Sequence, residues 1–249
     1  MLRSPIVFGV VVGFVLCQVA TLITTVYLHR TLSHRALTLS RPLEGVLRAL
    51  TWILTGIRPR QWVAVHRKHH AHTDVDGDPH SPLLLGFAAV QLGNVGLYRK
   101  VAKDGAQVAR YARDLPADRW DRLLFDRAFL GLGLGIALMA VLWGPLVAAV
   151  AAVTHTVTYL LLNAAVNAVG HVWGSQPFPN TAHNSQVLAL LTSGEGLHNN
   201  HHHRPTSPRL SIGRGELDPG WWCIRAGARL GWLTVRLPRS DRVEEPAAA

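Results

Sequence analysis

Cysteine is nearly absent from this chain of 249 residues: Cys17 lies inside an apolar run and Cys223 far downstream beside Trp222. That excludes a disulfide framework and a cysteine-held iron–sulfur cluster, and places the working parts on a reducing side of the cell. Charge is sparse as well. Only 16% of residues are charged against 49% hydrophobic, where soluble domains average about 25% charged. Acids are the scarcer sign, 15 against 25 Lys and Arg, leaving a formal charge of +10. No zinc finger, basic helix or aromatic RNA-binding signature accompanies this surplus, and the cations flank apolar segments. The sequence therefore points to anionic lipid or a phosphate-bearing ligand and away from nucleic acid. Flavin, nucleotide and haem-domain fingerprints are missing too.

Long apolar runs are what the chain does have. Pro5 to Leu28 carries no charge over 24 residues, about 36 Å of helix against a hydrocarbon core of about 30 Å. It is longer than a signal-peptide core and offers no small-x-small cleavage site, so it is expected to stay as a membrane span. A second block, Ala128 to Gly170, is about twice one span and is broken at Gly144-Pro145. It predicts a helical hairpin of 128–143 and 145–169. The stretch 42–57 is shorter and contains Glu44 and Arg48, which suits an interfacial helix. Leu83 to Tyr98 reads as another membrane-hugging stretch, 99–127 as a solvated helical section, Trp221 and Trp222 as headgroup-level anchors, and 244–249 as a loose tail. The expected fold is a single domain over 1–249, an all-α integral membrane protein with about three transmembrane helices, interfacial helices and a histidine-rich cytoplasmic cap.

Histidine is the residue that carries chemistry. HRKHHAH contains His66, His69 and His70, and GEGLHNNHHH contains His198, His201 and His202. Both triples have offsets 0, +3 and +4, which put three imidazoles on one helix face where each triple could reach one metal position. HRTLSH supplies His29 and His34, five apart and roughly 140° around a regular helix. They could serve different metals or lie where the helix frays. Asn167 and His171, four apart, share a face at the end of the second hairpin helix. Imidazole alone does not choose among iron, zinc, copper and nickel. Nine histidines are too many for one tetrahedral zinc and suit two metals.

Topology adds an independent condition. Histidines that share a site must emerge on one side of the membrane, so the number of crossings between clusters must be even. No crossing between His34 and His66 and two between His80 and His171 satisfies this. Arg30, Arg35, Arg41, Arg58 and Arg60 follow the first span, and Arg3 alone precedes it. The positive-inside rule then sets the histidine side in the cytoplasm, as in a bacterial inner-membrane protein.

At these residues the chain resembles a known family. HRTLSH, HRKHH and GEGLHNNHH are similar to the three histidine boxes of the membrane fatty acyl desaturases, in particular the acyl-CoA Δ9 (stearoyl-CoA type) branch. The likeness extends to WVAVHRKHHAHTDVDGDPHS and NAVGH and covers roughly 24 to 206. It implies a non-haem centre of two iron ions held by His29, His34, His66, His69, His70, His171, His198, His201 and His202, with Asn167 reaching one iron through water. It implies Trp62 along the acyl channel and Arg99 and Lys100 near the carrier's phosphates. The expected partners are O2, a fatty acyl substrate as acyl-CoA or acyl-lipid, the lipid bilayer, and a separate electron donor such as ferredoxin or a cytochrome with its reductase. The expected product is a cis double bond. Two alternatives are a di-iron hydroxylase of acyl or alkyl chains and, more remotely, a non-enzymatic membrane haem or metal-binding protein. Two departures stand out. An arginine that relatives carry two before His66 is Ala64 here, and one span precedes the first box in a family that usually has four, which leaves either a short amino terminus or a helix supplied by a partner.

The remaining histidines and acids have plainer expectations. His203 extends the third box. His72, His80 and His183 are expected behind the ligands or toward solvent, and His155 in a helix–helix hydrogen bond. Asp74, Asp76 and Asp78 mimic the start of a calcium loop, but Pro79 interrupts it and Leu85 stands where the bidentate glutamate belongs. They are expected, like Glu195, to accept hydrogen bonds from ligand imidazoles or nearby backbone.

Overall fold

The computed structural model describes residues 4–236, so Arg3 and the tail at 244–249 lie outside the described residues. Among these residues the regular structure is helical except for one short ribbon. In order come α1 (Pro5–Ile23), which runs unbroken into a π-helical segment (Thr24–Ser33), β1 (Leu37–Leu39), α2 (Arg41–Thr55), α3 (Pro59–Ala71), α4 (Pro82–Leu85), α5 (Phe87–Ala102) and α6 (Gly105–Tyr111). A π turn at Asp121–Phe125 leads to α7 (Ala128–Trp143) and α8 (Pro145–Ala168), which ends in a 3-10 turn, Val169–His171. Then follow α9 (Gln186–Leu191), α10 (His198–His203), α11 (Pro219–Arg229) and β2 (Leu233–Val235).

Among the described residues, two helices are long and apolar enough to cross a membrane, Pro5–Ser33 and Pro145–His171. Both open with proline in the first turn, where its missing N–H costs nothing. They pack closely because α1 presents glycine to α8: a Cβ on Gly13 would stand 2.5 Å from the Ala151 carbonyl oxygen. The third apolar helix, α7, has 16 residues, about 24 Å, which is short of a hydrocarbon core of about 30 Å. Gly144, at φ +88, turns α7 into α8 and makes the expected hairpin. The structure thus has two helices of spanning length where about three were expected.

The helix α2 is amphipathic. It buries Thr51 and Trp52 against α7, where the Trp52 indole N–H donates to the Arg127 carbonyl at 3.0 Å. His155, on α8, pairs its Nε2 with the carbonyl of Leu54 at 2.7 Å, the helix–helix hydrogen bond expected of it. The ribbon β1–β2 is antiparallel, with Leu37 opposite Val235, and ties the last described segment to the chain just after the first histidine box. Trp221 is partly buried beside Val26, Leu37, Ile224 and Leu233. Residues 221, 224 and 228 share the inward face of α11, whereas Trp222, one step round, is exposed.

Candidate metal centre

Both spanning helices end in the histidine layer. The first box lies on the π-helical segment, where the His34 N–H donates to the His29 carbonyl, five residues back, at 3.1 Å. Winding with this five-residue step brings residues five apart onto one face. His29 and His34, too far apart around a regular helix, therefore point to the same place, with ring centroids 4.7 Å apart. The second spanning helix delivers His171 from its terminal turn.

The imidazoles gather into two adjoining groups: His29, His34, His66, His70 and His201 in the first, and His69, His171, His198 and His202 in the second. Within each group the ligand-capable nitrogens all lie within 4.8 Å of one another. The two triples do not each serve one position, as their spacing suggested. On a helix, residues i and i+4 lie about 40° apart, while i+3 stands about 60° to the other side of i. His66 and His70 accordingly join the first group and His69 the second, while His198 and His202 join the second and His201 the first. Consecutive histidines face different groups, and the layer continues from one to the other through His70 stacked on His202 at 4.5 Å.

Carboxylates orient three of these imidazoles, one each from the first box, the second box and the turn that ends α8. The Nδ1–H of His29 donates to Glu195 at 2.8 Å, that of His69 to Asp78 at 2.9 Å, and that of His171 to Asp74 at 2.7 Å. Each bond holds the proton on Nδ1 and leaves the Nε2 lone pair facing the group. The carboxylates are themselves held. Asp74 also accepts from Ser81 and Thr181, Asp78 from the backbone N–H groups of Asp74 and His80, and Glu195 from Thr25. Asp76 differs from its two neighbours: its side chain is exposed, and its backbone carbonyl pairs with His72 at 3.2 Å.

Burial sets the protonation states. It pushes His34, His66, His69, His70, His198, His201 and His202 well below the ordinary histidine value, and neighbouring imidazoles push the same way. Their lone pairs are free at neutral pH, as metal binding requires. Burial alone would raise Glu195, but His29 and Arg30 beside it hold it below the usual range. Asp74 is likewise held low, chiefly by His171 against the cost of burial.

The geometry fits metal ions. Nε2 atoms stand 2.8 Å apart for His34 and His66, 3.1 Å for His29 and His201, and 2.9 Å for His70 and His201. In the second group the separations are 3.3 Å for His69 and His202, 3.1 Å for His171 and His198, and 3.2 Å for His198 and His202. Metal–nitrogen bonds of about 2.1 Å give polyhedron edges of about 3.0–3.4 Å. Imidazoles crowded this closely have no other common partner among the described residues. Asp74→Asn weakens the support of His171, so metal affinity is expected to fall about 10–100-fold; metal retained per chain after dialysis against graded chelator measures it.

Two cavities meet at the first face of this layer. One, of about 90 Å³, is walled by His29, His66, His198, His80, Asn167 and Val166 among others. The second, of about 480 Å³, runs between α3, α5 and α8. They share Trp62, Asn94, Tyr98 and Asn163, and Trp62 also stacks on His66 at 5.0 Å. Arg58, Arg99 and Lys103 line the larger cavity. Lys100, paired with Arg99 in the sequence reading, does not: residues 99 and 103 share a face of α5, and Lys100 points about 100° away. Ala64 is fully buried against Val108 and Ala112, which leaves no room there for an arginine. Asn94, Tyr98 and Asn163 were missed by sequence reasoning, although Asn163 continues the four-residue series of Asn167 and His171. On the opposite face, an open depression of about 590 Å³ reaches His34, His70 and His202 past Arg67 and Thr181.

The other histidines stay outside both groups. His203 stacks on Phe178 at 3.8 Å, and His72 pairs with the Tyr111 hydroxyl at 3.1 Å. His183 is half-buried, and His80 is buried beside His69.

Comparison with known proteins agrees with this geometry. The fatty acid desaturase family model matches residues 5–214. The chain is 34% identical over 223 residues to an acyl-CoA C20 Delta5-desaturase of Anemone leveillei, covering 86% of this chain and 69% of that protein. It is 32% identical over 241 residues to the Delta-9 desaturase-like 5 protein of Arabidopsis thaliana, covering 91% and 76%, and 31% identical over 223 residues to an sn-2 palmitoyl-lipid 9-desaturase of Nostoc sp. (strain 36), covering 82% and 72%. With its histidine boxes folded into one layer at the head of an apolar cavity, the chain belongs to the fatty acid desaturase family.

Proposed function

We propose that the chain introduces a cis double bond into a fatty acyl chain at a pair of iron ions held by the two imidazole groups. Desaturation of fatty acyl chains is the activity of the family to which the chain belongs; the metal, the geometry of the bond and the partners are the further reading. One observation carries it: nine imidazoles in two groups at the inner end of an apolar cavity. His29, His34, His66, His70 and His201 would hold one iron, and His69, His171, His198 and His202 the other, with Asn167 reaching the second through water. When bound, the irons would supply with O2 the oxidising power that no side-chain acid or base has against an unactivated C–H bond.

The chain's own part is positioning. Trp62, Tyr98 and Val166 would wall the acyl chain and exclude water, so that one C–C bond lies beside the imidazole layer. Arg58, Arg99 and Lys103 along the larger cavity suit the phosphates of coenzyme A or the headgroup of a lipid. A separate electron donor suits a sequence in whose 249 residues no flavin, haem-domain or iron–sulfur motif occurs. The open depression beside Arg67, which reaches imidazoles of both groups from the side away from the acyl cavity, suits the approach of an acidic carrier such as a ferredoxin or a cytochrome. We place the histidine layer on the cytoplasmic face of an inner membrane, with α7 as the third crossing, in a locally thinned bilayer. Arg30 drops out of the charge argument because it is buried, but Arg35, Arg41, Arg58 and Arg60 still follow the first span.

The test is expression in a host lacking its own unsaturating enzyme, followed by gas chromatography and mass spectrometry of its fatty acids. A product lighter by two hydrogens is expected. A product heavier by one oxygen would replace desaturation with hydroxylation, and a Soret band on the purified protein would replace non-haem iron with haem.

A further inference from the structure

His29 and His34 converge because the chain keeps π-helical winding over the ten residues Thr24–Ser33, a form that is usually limited to single turns. Side chains follow the wider step. In α2 the hydroxyls of Thr51 and Thr55 donate to carbonyls four residues back, whereas in the π-helical segment those of Thr31 and Ser33 donate to Val26 and Leu28, five back. In an ordinary helix the same hydroxyls would find the carbonyls four back, so they do not choose the winding. A restraint from outside the segment has to.

Such a restraint sits at the end of the segment. A helix leaves the carbonyls of its last turn without N–H partners, and two of them, Leu32 and Ser33, are taken here by one guanidinium of the second box. Arg67 donates from Nη2 to Leu32 at 2.8 Å and from Nε to Ser33 at 2.9 Å. Its other bonds run to the Tyr111 carbonyl at the end of α6, at 3.0 Å, and to the two oxygens of Asp114, at 2.5 and 3.1 Å. A guanidinium has five N–H groups, and all five are used. Asp114 is held well below the usual carboxylate range, first by its hydrogen bonds to Arg67, so the brace stays charged. Arg67 also edges the open depression, but a rim cation would need none of these bonds and would keep its head in water, whereas this side chain is 20% exposed.

We propose that Arg67 is a positioning residue of the first imidazole group: by holding the Leu32 and Ser33 carbonyls against α3, it fixes the end of the π-helical segment so that His34 meets His29 and His66. The effect is confined to one group by where the ligands sit. His34, His66 and His70 ride on the two pieces that the guanidinium joins. The second group takes His171 from the end of α8 and His198 and His202 from α10, and its one member on α3, His69, is oriented separately by Asp78. The inference rests on the two-iron reading above, and its test separates the two.

Ferrous iron is titrated without oxygen into the detergent-solubilised full chain, in two backgrounds that each keep one group whole. His171→Ala removes a ligand of the second group, and His201→Ala one of the first. Adding Arg67→Met should weaken iron binding about 10–100-fold in the His171→Ala background, as changes behind metal ligands do, and less than about threefold in the His201→Ala background, where the remaining group is independent of the clamp. Arg67→Lys keeps the charge, but its three donors lack the planar fork; it should give a smaller loss in the same background only. Arg48→Met, which breaks a comparable guanidinium set with Asp118 and Asp121 away from the boxes, should leave both affinities within about threefold. Unchanged iron affinity on adding Arg67→Met to His171→Ala overturns the clamp, and so does equal weakening in both backgrounds, which would mark a general loosening of the fold. If Arg67→Met does not accumulate, Arg67→Lys decides by the same comparison. Failure of the unsubstituted chain to bind two irons would instead remove the two-iron reading itself.

Discussion

His201→Ala should leave less than about 1% of wild-type desaturation, a larger loss than the about 10–100-fold typical of changes behind the ligands, while membrane insertion and chain yield stay near normal. The side chain is 1% exposed, with its Nε2 3.1 Å from that of His29 and 2.9 Å from that of His70, so it joins the first and second boxes. His201 also lies on the short helix α10, whose backbone bonds do not depend on the ring. Its removal should therefore lower the iron content from about two toward about one per chain without unfolding the spans. Product analysis by mass spectrometry and metal analysis on the same preparation give both readings. Full activity in this variant would count against the division of the histidines described above.

Arg30→Ala should be the most destabilising single change outside the histidine layer, at about 3–5 kcal/mol. Arg30 follows His29 on the π-helical segment and is 1% exposed. Its guanidinium donates to both oxygens of Asp218, at 2.9 and 3.1 Å, and to the carbonyls of Pro208 at 2.7 Å and Ser193 at 3.3 Å. Asp218, fully buried, in turn caps α11 through the Trp221 N–H and holds the Leu210 N–H. Truncation of Arg30 leaves a buried carboxylate without its counter-charge, and the penalty comes mostly from that uncompensated charge. Arg30→Met combined with Asp218→Leu should accordingly recover much of the loss, because replacing both partners by apolar groups is often close to neutral. Thermal unfolding of the detergent-solubilised protein measures both variants. The single change should lower the melting temperature by roughly 10 °C, and equal loss in single and double variants would refute the charge argument.

The connection between these two residues shows why the centre is rigid. His29 is oriented by Glu195, Arg30 lies 3.9 Å from the same carboxylate, and Arg30 is fixed by the loop and helix that follow the third box. The first and third boxes are thus fastened twice, once through the imidazoles and once through the ion pair. Sequence reasoning counted Arg30 among the charges that set membrane orientation. Its neighbour in the sequence, an imidazole, is what draws it inside.

The identity of the chemistry was legible in one dimension, because it resides in residue type and spacing. Four-residue steps place side chains on one face of any helix, so His66 with His70 and His198 with His202 had to pair wherever the chain folded. Apolar length likewise announced the hairpin and the two long helices, since a span must satisfy its backbone within itself. The spacing could not tell which group His69 and His201 would join, because that depends on how two helices approach each other. Nor could it reveal that His29 and His34 converge, since a π-helical winding changes the angle between residues five apart and is held in place by packing around it. The burial of Arg30 and the replacement of Lys100 by Lys103 along the cavity were decided by tertiary contact alone: each turns on what stands opposite the side chain, and a sequence lists only what stands beside it.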